Sequence, residues 1–243
     1  MKQEFSRTAL LLGEEGVHKL SRARVAVFGV GGVGGYAAEA LARSGIGALD
    51  LIDKDVVSLS NINRQIIALH STVGRYKVDV MKERILDINP DAQVNSYPCF
   101  YLPETAEEFS FNQYDYVVDA VDTVSAKIAL VMQAKEAGVP IISCMGAGNK
   151  MDPSRFETAD IFETEICPLA RVMRRELRKR GIEKLKVVYS REAAAVPIHA
   201  QCDSQSGKTV PGSLAFVPSA AGLILAGEVI RELSGKFPEG VQT

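Results

Sequence analysis

A glycine-rich stretch near the N-terminus restricts the fold of this chain more than any other feature. Residues 25–35 read VAVFGVGGVGG, a short apolar run followed by a G-x-G-x-x-G loop, and helix-forming residues begin at Tyr36. The loop glycines are Gly29, Gly31, Gly32 and Gly34. A strand, a glycine loop and a helix form a phosphate cradle, because glycine lets the backbone approach the ligand and the helix N-terminus offers free N–H groups. The stretch predicts a nucleotide-binding fold and leaves the nucleotide open.

The elements that follow the glycine loop alternate between strand and helix. Such alternation predicts a Rossmann-like α/β fold, a doubly wound and mostly parallel sheet with extra strands and helices in the C-terminal part. We predict strands at residues 48–53, 93–97, 114–121, 139–144, 156–164 and 186–190. We predict helices at residues 77–88, 104–109, 125–137, 168–180 and 219–233, and a helix that stops at Gly13 near the N-terminus.

Length and charge restrict the domain organisation. The 243 residues fit one domain, which we divide into a nucleotide-binding half, residues 1–148, and a substrate-side half, residues 149–243. Residues 200–213 are rich in Ser, Gly, Gln and Pro and are predicted to form a mobile loop. Because the formal net charge is only −2, the chain as a whole gives no indication of nucleic-acid binding, and such a site would have to be local.

The cysteines and the apolar segments indicate a cytoplasmic protein. Cys99, Cys144, Cys167 and Cys202 never form C-x-x-C, which argues against a structural zinc site and a disulfide framework. The N-terminus lacks the apolar core of a signal peptide. Residues 214–230 are apolar but contain a proline and a glutamate, so we expect a buried helix there, with shallow membrane association as the alternative.

Two acidic residues follow predicted strands on the glycine-loop side of the sheet. Asp53 lies 24 residues after Gly29, where dinucleotide folds place the carboxylate that binds ribose hydroxyls. Its simpler interpretation is a cap at the end of a strand. Asp122 follows the fourth strand, and ligands of open α/β sheets bind beyond the carboxyl ends of strands. Both carboxylates are therefore expected beside the nucleotide.

The residues after the second strand favour a reacting triphosphate over a dinucleotide cofactor. The glycine loop with Asp53 suits an NAD-dependent oxidoreductase, but Asn61, Arg64 and Lys77 add donors and cations that hydride transfer does not need. An enzyme that attacks a nucleoside triphosphate does need them, because negative charge develops on the phosphates as the bond breaks. We keep the oxidoreductase as an alternative.

Five motifs in order resemble the E1-like adenylating superfamily, which includes ubiquitin-activating enzymes. The motifs are Gly29–Gly34, Leu51–Asp55, Ser60–Gln65, Val73–Lys77 and Asp119–Asp122. The resemblance implies that ATP is the substrate and that Asp53 and Asp55 bind it. It also implies that Asn61, Arg64 and Lys77 contact the phosphates and act in catalysis. Asp122 would bind Mg²⁺. Arg7 resembles the arginine finger that one subunit of a homodimer supplies to its partner, although on its own it looks like a surface arginine.

The second half resembles the tRNA threonylcarbamoyladenosine dehydratase subfamily. The similar stretches are Gly146–Pro153, Pro168–Leu177 and Val187–Glu192. The resemblance implies that ATP adenylates the carboxylate of threonylcarbamoyladenosine at position 37 of tRNA, after which a carbamoyl nitrogen closes a ring and expels AMP. The alternative within the superfamily is adenylation of a ubiquitin-like sulfur carrier, which would make the chain a partner in sulfur relay.

The sequence allows more than one interpretation of the basic stretch and of Cys202. Residues 171–186 carry eight Lys and Arg against two Glu, which suits either a solvated helix face or contact with tRNA phosphates. Cys202 in the predicted loop is either an incidental thiol, the interpretation we favour, or a nucleophile.

Overall fold

The computed structural model describes residues 2–199, 202 and 209–236 of the chain. Most of the predicted mobile loop, residues 200, 201 and 203–208, lies outside the described residues. The helices are α1 Ser6–Arg22, α2 Gly34–Arg43, α3 Lys77–Ile88, α4 Val124–Ala137, α5 Pro168–Arg178 and α6 Phe216–Ser234. The strands are β1 Arg24–Phe28, β2 Ala48–Ile52, β3 Gln93–Tyr97, β4 Tyr116–Asp119, β5 Ile141–Cys144, β6 Phe156–Asp160 and β7 Lys186–Ser190.

The seven strands form one sheet in the order β3-β2-β1-β4-β5-β7-β6, which confirms the predicted mostly parallel α/β fold. All neighbouring pairs are parallel except β6 with β7, which is antiparallel. We call the edge where the parallel strands end the carboxyl edge, and the edge where they begin the amino edge. Because β6 runs the other way, it begins at the carboxyl edge.

Apolar side chains cover both faces of this sheet. On one face, β1 and β2 pack against α2, α3 and α6. On the other, Ala26 and Phe28 of β1 meet α4 and a group of aromatic rings that includes Tyr101 and Phe109. Farther along this second face, α5 packs against α4 and β7. Burial on both faces explains why central strands such as β1 and β4 are mostly apolar.

The last helix, α6, lies against the glycine loop. A Cβ placed at Gly222 would lie 2.2 Å from the carbonyl oxygen of Val33, so only glycine lets α6 approach the start of α2 this closely. Pro218 of α6 packs against Gly32, where an added Cβ would lie 3.3 Å from the proline ring. The buried-helix interpretation of residues 214–230 is confirmed, and within the described residues no helix is long and apolar enough to cross a membrane.

Several predicted boundaries were wrong by a few residues. The predicted strand 156–164 ends at Asp160, whose carboxylate accepts a hydrogen bond from the Phe162 backbone N–H at 2.9 Å and starts a 3₁₀ turn. The predicted helix 104–109 is a single 3₁₀ turn at Ala106–Glu108. The N-terminal helix does break at Gly13, which has a φ of +73°, before it continues to Arg22.

Candidate nucleotide-binding site

The glycine loop leaves the carboxyl end of β1 and turns into α2. Gly29 has a φ of +87°, and a Cβ at this position would lie 2.7 Å from the carbonyl oxygen of Ala120. A Cβ at Gly34 would lie 1.8 Å from the carbonyl oxygen of Gly29. At Gly31 the nearest atom to an added Cβ is 3.8 Å away, on Gln65. Gly29 and Gly34 therefore close the turn, while the backbone at Gly31 keeps room for a ligand.

Asp53 ties the glycine loop to the end of β2. Its carboxylate accepts hydrogen bonds from the backbone N–H of Val30 at 2.7 Å and of Asp55 at 2.9 Å. Burial raises the pKa of the Asp53 carboxyl, an effect that the nearby Lys77 ammonium and the two N–H donors oppose. The cap interpretation of Asp53 is thus present in the structure, and the same half-buried carboxylate lies against the loop where a ribose would bind.

The polar segment after β2 lies against the glycine loop. The Cγ atom of Arg64 is 3.5 Å from a Cβ placed at Gly32. The guanidinium of Arg64 donates to the carbonyl oxygen of Ser60 at 2.9 Å and to the side-chain oxygen of Asn63 at 2.8 Å. Asn61 accepts a hydrogen bond from the Ser58 backbone N–H at 3.2 Å, which shapes the turn.

Gln65 completes this segment with a buried acceptor. Its side-chain oxygen has no hydrogen-bond partner among the described residues, although the side chain is buried beside Gly31. A buried acceptor without a donor is costly, which makes this oxygen a candidate contact for a ligand that offers a donor. The hydroxyl and amino groups of a nucleotide are donors of that kind.

Lys77 begins α3 with its ammonium directed at Asp55. The two groups are 2.8 Å apart, and the lysine side chain is only 7% exposed while the aspartate is 52% exposed. The backbone N–H of Lys77 also donates a hydrogen bond to the carbonyl oxygen of Asp55 at 3.0 Å. The buried cation is therefore held beside the end of β2, within reach of Asp53.

Asp122 follows a turn that packs directly on the glycine loop. The Ala120 backbone N–H donates to the carbonyl oxygen of Phe28 at 2.8 Å, which places the turn against Gly29. Asp122 is exposed, and its carboxylate accepts a hydrogen bond from the Thr123 hydroxyl at 3.3 Å. Behind the turn, the buried ammonium of Lys127 donates to both carboxylate oxygens of Asp119, at 3.0 and 2.9 Å.

Arg7 is the one predicted site residue that the fold does not bring to the carboxyl edge. It is exposed on α1, two residues after Phe5, whose ring packs on Gly45 between α2 and the start of β2. That position is at the amino edge. A five-residue strand is about 17 Å long, so the arginine is separated from its own glycine loop by the length of the sheet.

A second set of contacts links the polar segment after β2 to the C-terminal half. The side-chain amide of Asn63 donates to the carbonyl oxygen of Ser213 at 3.0 Å. The neighbouring Gly212 exchanges two hydrogen bonds with Asn149, at 2.6 and 2.8 Å. Asn149 has a φ of 57°, and Lys150 beside it is buried and donates to the carbonyl oxygen of Glu192. The Gly146–Pro153 stretch thus holds two loops at the carboxyl edge.

The basic stretch does not form one uniform surface. Arg174 is half-buried and donates to the carbonyl oxygen of Thr164 at 2.7 Å, so it does not face solvent as the sequence suggested. Hydrogen bonds from Lys179 and Arg180 lower the pKa of the Glu176 carboxyl to about 2. α5 begins near the carboxyl edge, and its C-terminal end leads into the start of β7 at the amino edge.

The four cysteines differ in their exposure. Of the four, all of which the structure describes, Cys144 and Cys167 are buried, Cys99 is half-buried and Cys202 is exposed. Burial raises the pKa of the Cys144 thiol to about 12, which makes it inert at neutral pH. Cys202 forms an isolated antiparallel bridge with Thr209, and nothing in its described contacts activates it.

Sequence reasoning missed Lys127 and Asn149. Both lie at the carboxyl edge and hold the loops that form the site, but neither belongs to a motif with a known spacing. A lysine inside a helical pattern reads as exposed, and the burial of Lys127 depends on the fold. Asn149 had a weak signal, because asparagine tolerates a positive φ better than most residues and follows two glycines.

Comparisons with known proteins show which family the chain resembles over most of its length. The ThiF family matches residues 5–243. The chain is 49% identical over 243 residues to the tRNA threonylcarbamoyladenosine dehydratase of Bacillus subtilis (strain 168), covering 96% of this chain and 95% of the relative. It is 41% identical over 204 residues to the enzyme of that name from Escherichia coli (strain K12), covering 81% of this chain and 76% of the relative.

Solved structures show the same similarity in three dimensions. The structure of Escherichia coli tRNA N6-threonylcarbamoyladenosine dehydratase in complex with ATP has a TM-score of 0.86 and 34% sequence identity, and covers 96% of this chain and 94% of that one. The complex of that enzyme with AMP has a TM-score of 0.87 and 36% identity at the same coverage. A structure described as E. coli MccB with succinimide, at 20% identity and a TM-score of 0.67, shows that the fold extends to more distant proteins.

Proposed function

The chain belongs to the ThiF family of E1-like adenylating enzymes, and we propose that it is an ATP-dependent tRNA threonylcarbamoyladenosine dehydratase. The observation that carries the proposal is the near full-length similarity to the Bacillus subtilis enzyme, combined with a carboxyl edge that brings together the glycine loop, Arg64, Lys77 and Asp122. The complexes of a similar enzyme with ATP and AMP support ATP as the nucleotide and AMP as its product.

The chemistry divides into two steps. In the first, the carboxylate of threonylcarbamoyladenosine at position 37 of tRNA attacks the α-phosphate of ATP, and pyrophosphate leaves. In the second, a carbamoyl nitrogen attacks the acyl-adenylate carbon, AMP leaves and a ring closes, so that one water is removed overall. The protein aligns the carboxylate with the α-phosphate and stabilises the charge that develops there.

The residues of the site divide this work. We propose that the backbone at Gly31 and the N-terminal end of α2 bind phosphate, and that Asp53 binds the ribose hydroxyls. Arg64 and Lys77 supply the positive charge that stabilises the α-phosphate and the leaving pyrophosphate. Asn61 shapes the turn that carries Arg64 and contributes an amide donor to the phosphates.

The carboxyl edge fits a magnesium ion bound through phosphate. Within the described residues, no group of three or more His, Cys, Asp and Glu side chains is placed to hold a metal by itself. Mg²⁺ usually takes one or two carboxylates and completes its shell with phosphates and water. The exposed carboxylate of Asp122 beside the glycine loop suits this arrangement, and Mg²⁺ bound there would neutralise phosphate charge.

We also propose that Arg7 acts across a homodimer. Its position at the amino edge of its own sheet supports this, because the side chain cannot span the strands to its own phosphates. Leu10 and Leu11 on α1 are 84% and 86% exposed, and apolar side chains this exposed beside Arg7 suit burial against a second copy.

A reaction on tRNA would take place in the cytoplasm.

The decisive experiment is incubation with tRNA that carries threonylcarbamoyladenosine, together with ATP and Mg²⁺, followed by mass spectrometry of the nucleosides. We expect loss of one water from the modified adenosine and formation of AMP and pyrophosphate, with a Lys77→Ala variant as the inactive control. An unchanged nucleoside in the presence of active wild-type protein would overturn the proposal. ATP–pyrophosphate exchange stimulated by a ubiquitin-like carrier instead of tRNA would favour the sulfur-relay alternative.

A further inference from the structure

Two fully buried charges lie directly behind the candidate nucleotide site. Lys127 of α4 and Asp119 at the end of β4 both have fully buried side chains. The lysine ammonium donates to the two carboxylate oxygens of Asp119 at 3.0 and 2.9 Å and to the carbonyl oxygen of Val121 at 3.0 Å. Three donors thus meet three acceptors, and the ammonium is fully satisfied.

These contacts fix a turn of only a few residues. Asp119 also accepts a hydrogen bond from the Val121 backbone N–H at 3.2 Å, so the carboxylate and the ammonium hold both polar groups of Val121. The Lys127 backbone N–H donates to the carbonyl oxygen of Thr123 at 3.0 Å, which continues the turn into α4. Residues 119–123 therefore have one arrangement, and Asp122 projects from it.

The same turn forms a wall of the glycine loop. The carbonyl oxygen of Ala120 is 2.7 Å from a Cβ placed at Gly29, and the Ala120 side chain is 3.1 Å from a Cβ placed at Gly34. A shift of the turn by a few tenths of an ångström would move both the loop and Asp122. The Lys127–Asp119 pair thus supports the two groups that would hold ATP and its metal.

Stability alone does not explain why this pair is ionic. Removing two charges from water is costly, and well-packed apolar residues often replace a buried ion pair without loss of stability. A fully satisfied polar network does, however, restrict a loop to one geometry. We propose that Lys127 is a positioning residue, whose buried ammonium fixes the Asp119–Asp122 turn in the arrangement that binds ATP with its divalent cation.

This inference rests on the proposed function only in that ATP is the ligand, and a binding measurement tests it without turnover. The main variant is the double substitution Lys127→Met with Asp119→Asn, which removes both charges and leaves no unpaired one. The matched control is Lys135→Met on the same helix, where the ammonium contacts the carbonyl oxygen of Gly181, remote from the glycine loop.

The measurements are the thermal midpoint without nucleotide and the affinity for ATP by calorimetry, with and without Mg²⁺. We expect the double variant to melt near the wild-type temperature but to bind ATP with Mg²⁺ about tenfold or more weakly, as is typical when a group supporting a metal ligand is lost. The difference should shrink without Mg²⁺, and Lys135→Met should match wild type. A double variant that binds ATP with Mg²⁺ as tightly as wild type would overturn the inference.

A second variant covers the case in which the double variant does not fold. Ala120→Gly loosens the turn and leaves the ion pair intact, so it should also weaken binding of ATP with Mg²⁺, and unchanged affinity would contradict the positioning role. The outcomes remain separable from the proposed function. Wild-type protein that binds ATP but does not dehydrate the modified tRNA would overturn the function, whereas only the variants' affinities bear on Lys127.

Discussion

At the scale of single residues, the cations of the site already have protein partners. Lys77 pairs with Asp55 at 2.8 Å, and Arg64 donates to Ser60 and Asn63. A triphosphate that arrives must compete with these acceptors, and its charged oxygens form charge-assisted hydrogen bonds with Lys and Arg as a carboxylate does. Lys77 and Arg64 are therefore held in place by protein contacts before any nucleotide binds.

We predict that Lys77→Ala lowers the rate of adenylation by about 10²–10³-fold, the usual loss when one donor to a developing charge is removed. ATP–pyrophosphate exchange in the presence of modified tRNA measures this rate. The control is Arg75→Ala, since Arg75 is exposed in the same loop and pairs with the exposed Glu83. A fully active Lys77→Ala variant would contradict the assignment of the phosphate site.

Asp53 gives a prediction that depends on pH. Its raised pKa means that the folded state takes up a proton more readily than the unfolded state, so this carboxylate lowers stability at neutral pH and the loss is relieved as pH falls through the raised pKa. We expect Asp53→Asn to remove this pH dependence from the unfolding of the nucleotide-free protein.

The same substitution should weaken ATP binding by about tenfold to a hundredfold, because a hydrogen bond to a charged group is lost. Thermal unfolding as a function of pH and calorimetric titration with ATP measure the two effects. If Asp53 served only as a cap, the loss of ATP affinity would be absent.

At the scale of elements, α5 separates two interpretations of the basic stretch. Arg171 and Arg178 are both exposed on this helix, but Arg171 is near the carboxyl edge and Arg178 near the amino edge. In the proposed reaction the modified base reaches the ATP phosphates, so the tRNA backbone would lie closer to the carboxyl edge than to the amino edge.

We predict that Arg171→Glu weakens tRNA binding several-fold and lowers the salt dependence by about one phosphate contact, with a smaller effect for Arg178→Glu. Binding titrations at several salt concentrations compare the two variants, each with the other as its matched control. Equal and negligible effects would show that the helix is a solvated face.

The sequence predicted elements best where clear breaking residues follow them. α3, β3 and β7 have the predicted bounds, and they are followed by Asn89-Pro90, Pro98 and the charged pair Arg191-Glu192. The positions of Asp53 and Asp122 at the carboxyl edge were predictable because each residue lies at the end of a predicted strand. The burial of Lys127 and Arg174 could not be predicted, since each depends on a partner that lies outside its own helix.

At the scale of the whole molecule, the proposed role of Arg7 would make activity a property of two chains. We predict that mixing inactive Arg7→Ala and Lys77→Ala proteins restores activity, because a mixed dimer contains one site with both groups intact. Random exchange would give about one quarter of wild-type activity. The control is each variant mixed with itself, and a mixture that stays inactive although its subunits exchange would place Arg7 outside the partner's site.

The contact of α6 with the glycine loop has a consequence for how the protein is made. The loop is translated well before Gly222 and Pro218, which pack against it. Domains acquire structure as they emerge during translation. The growing chain is therefore expected to display an unsupported phosphate loop until α6 has emerged, and to gain affinity for ATP only when this helix packs on the loop.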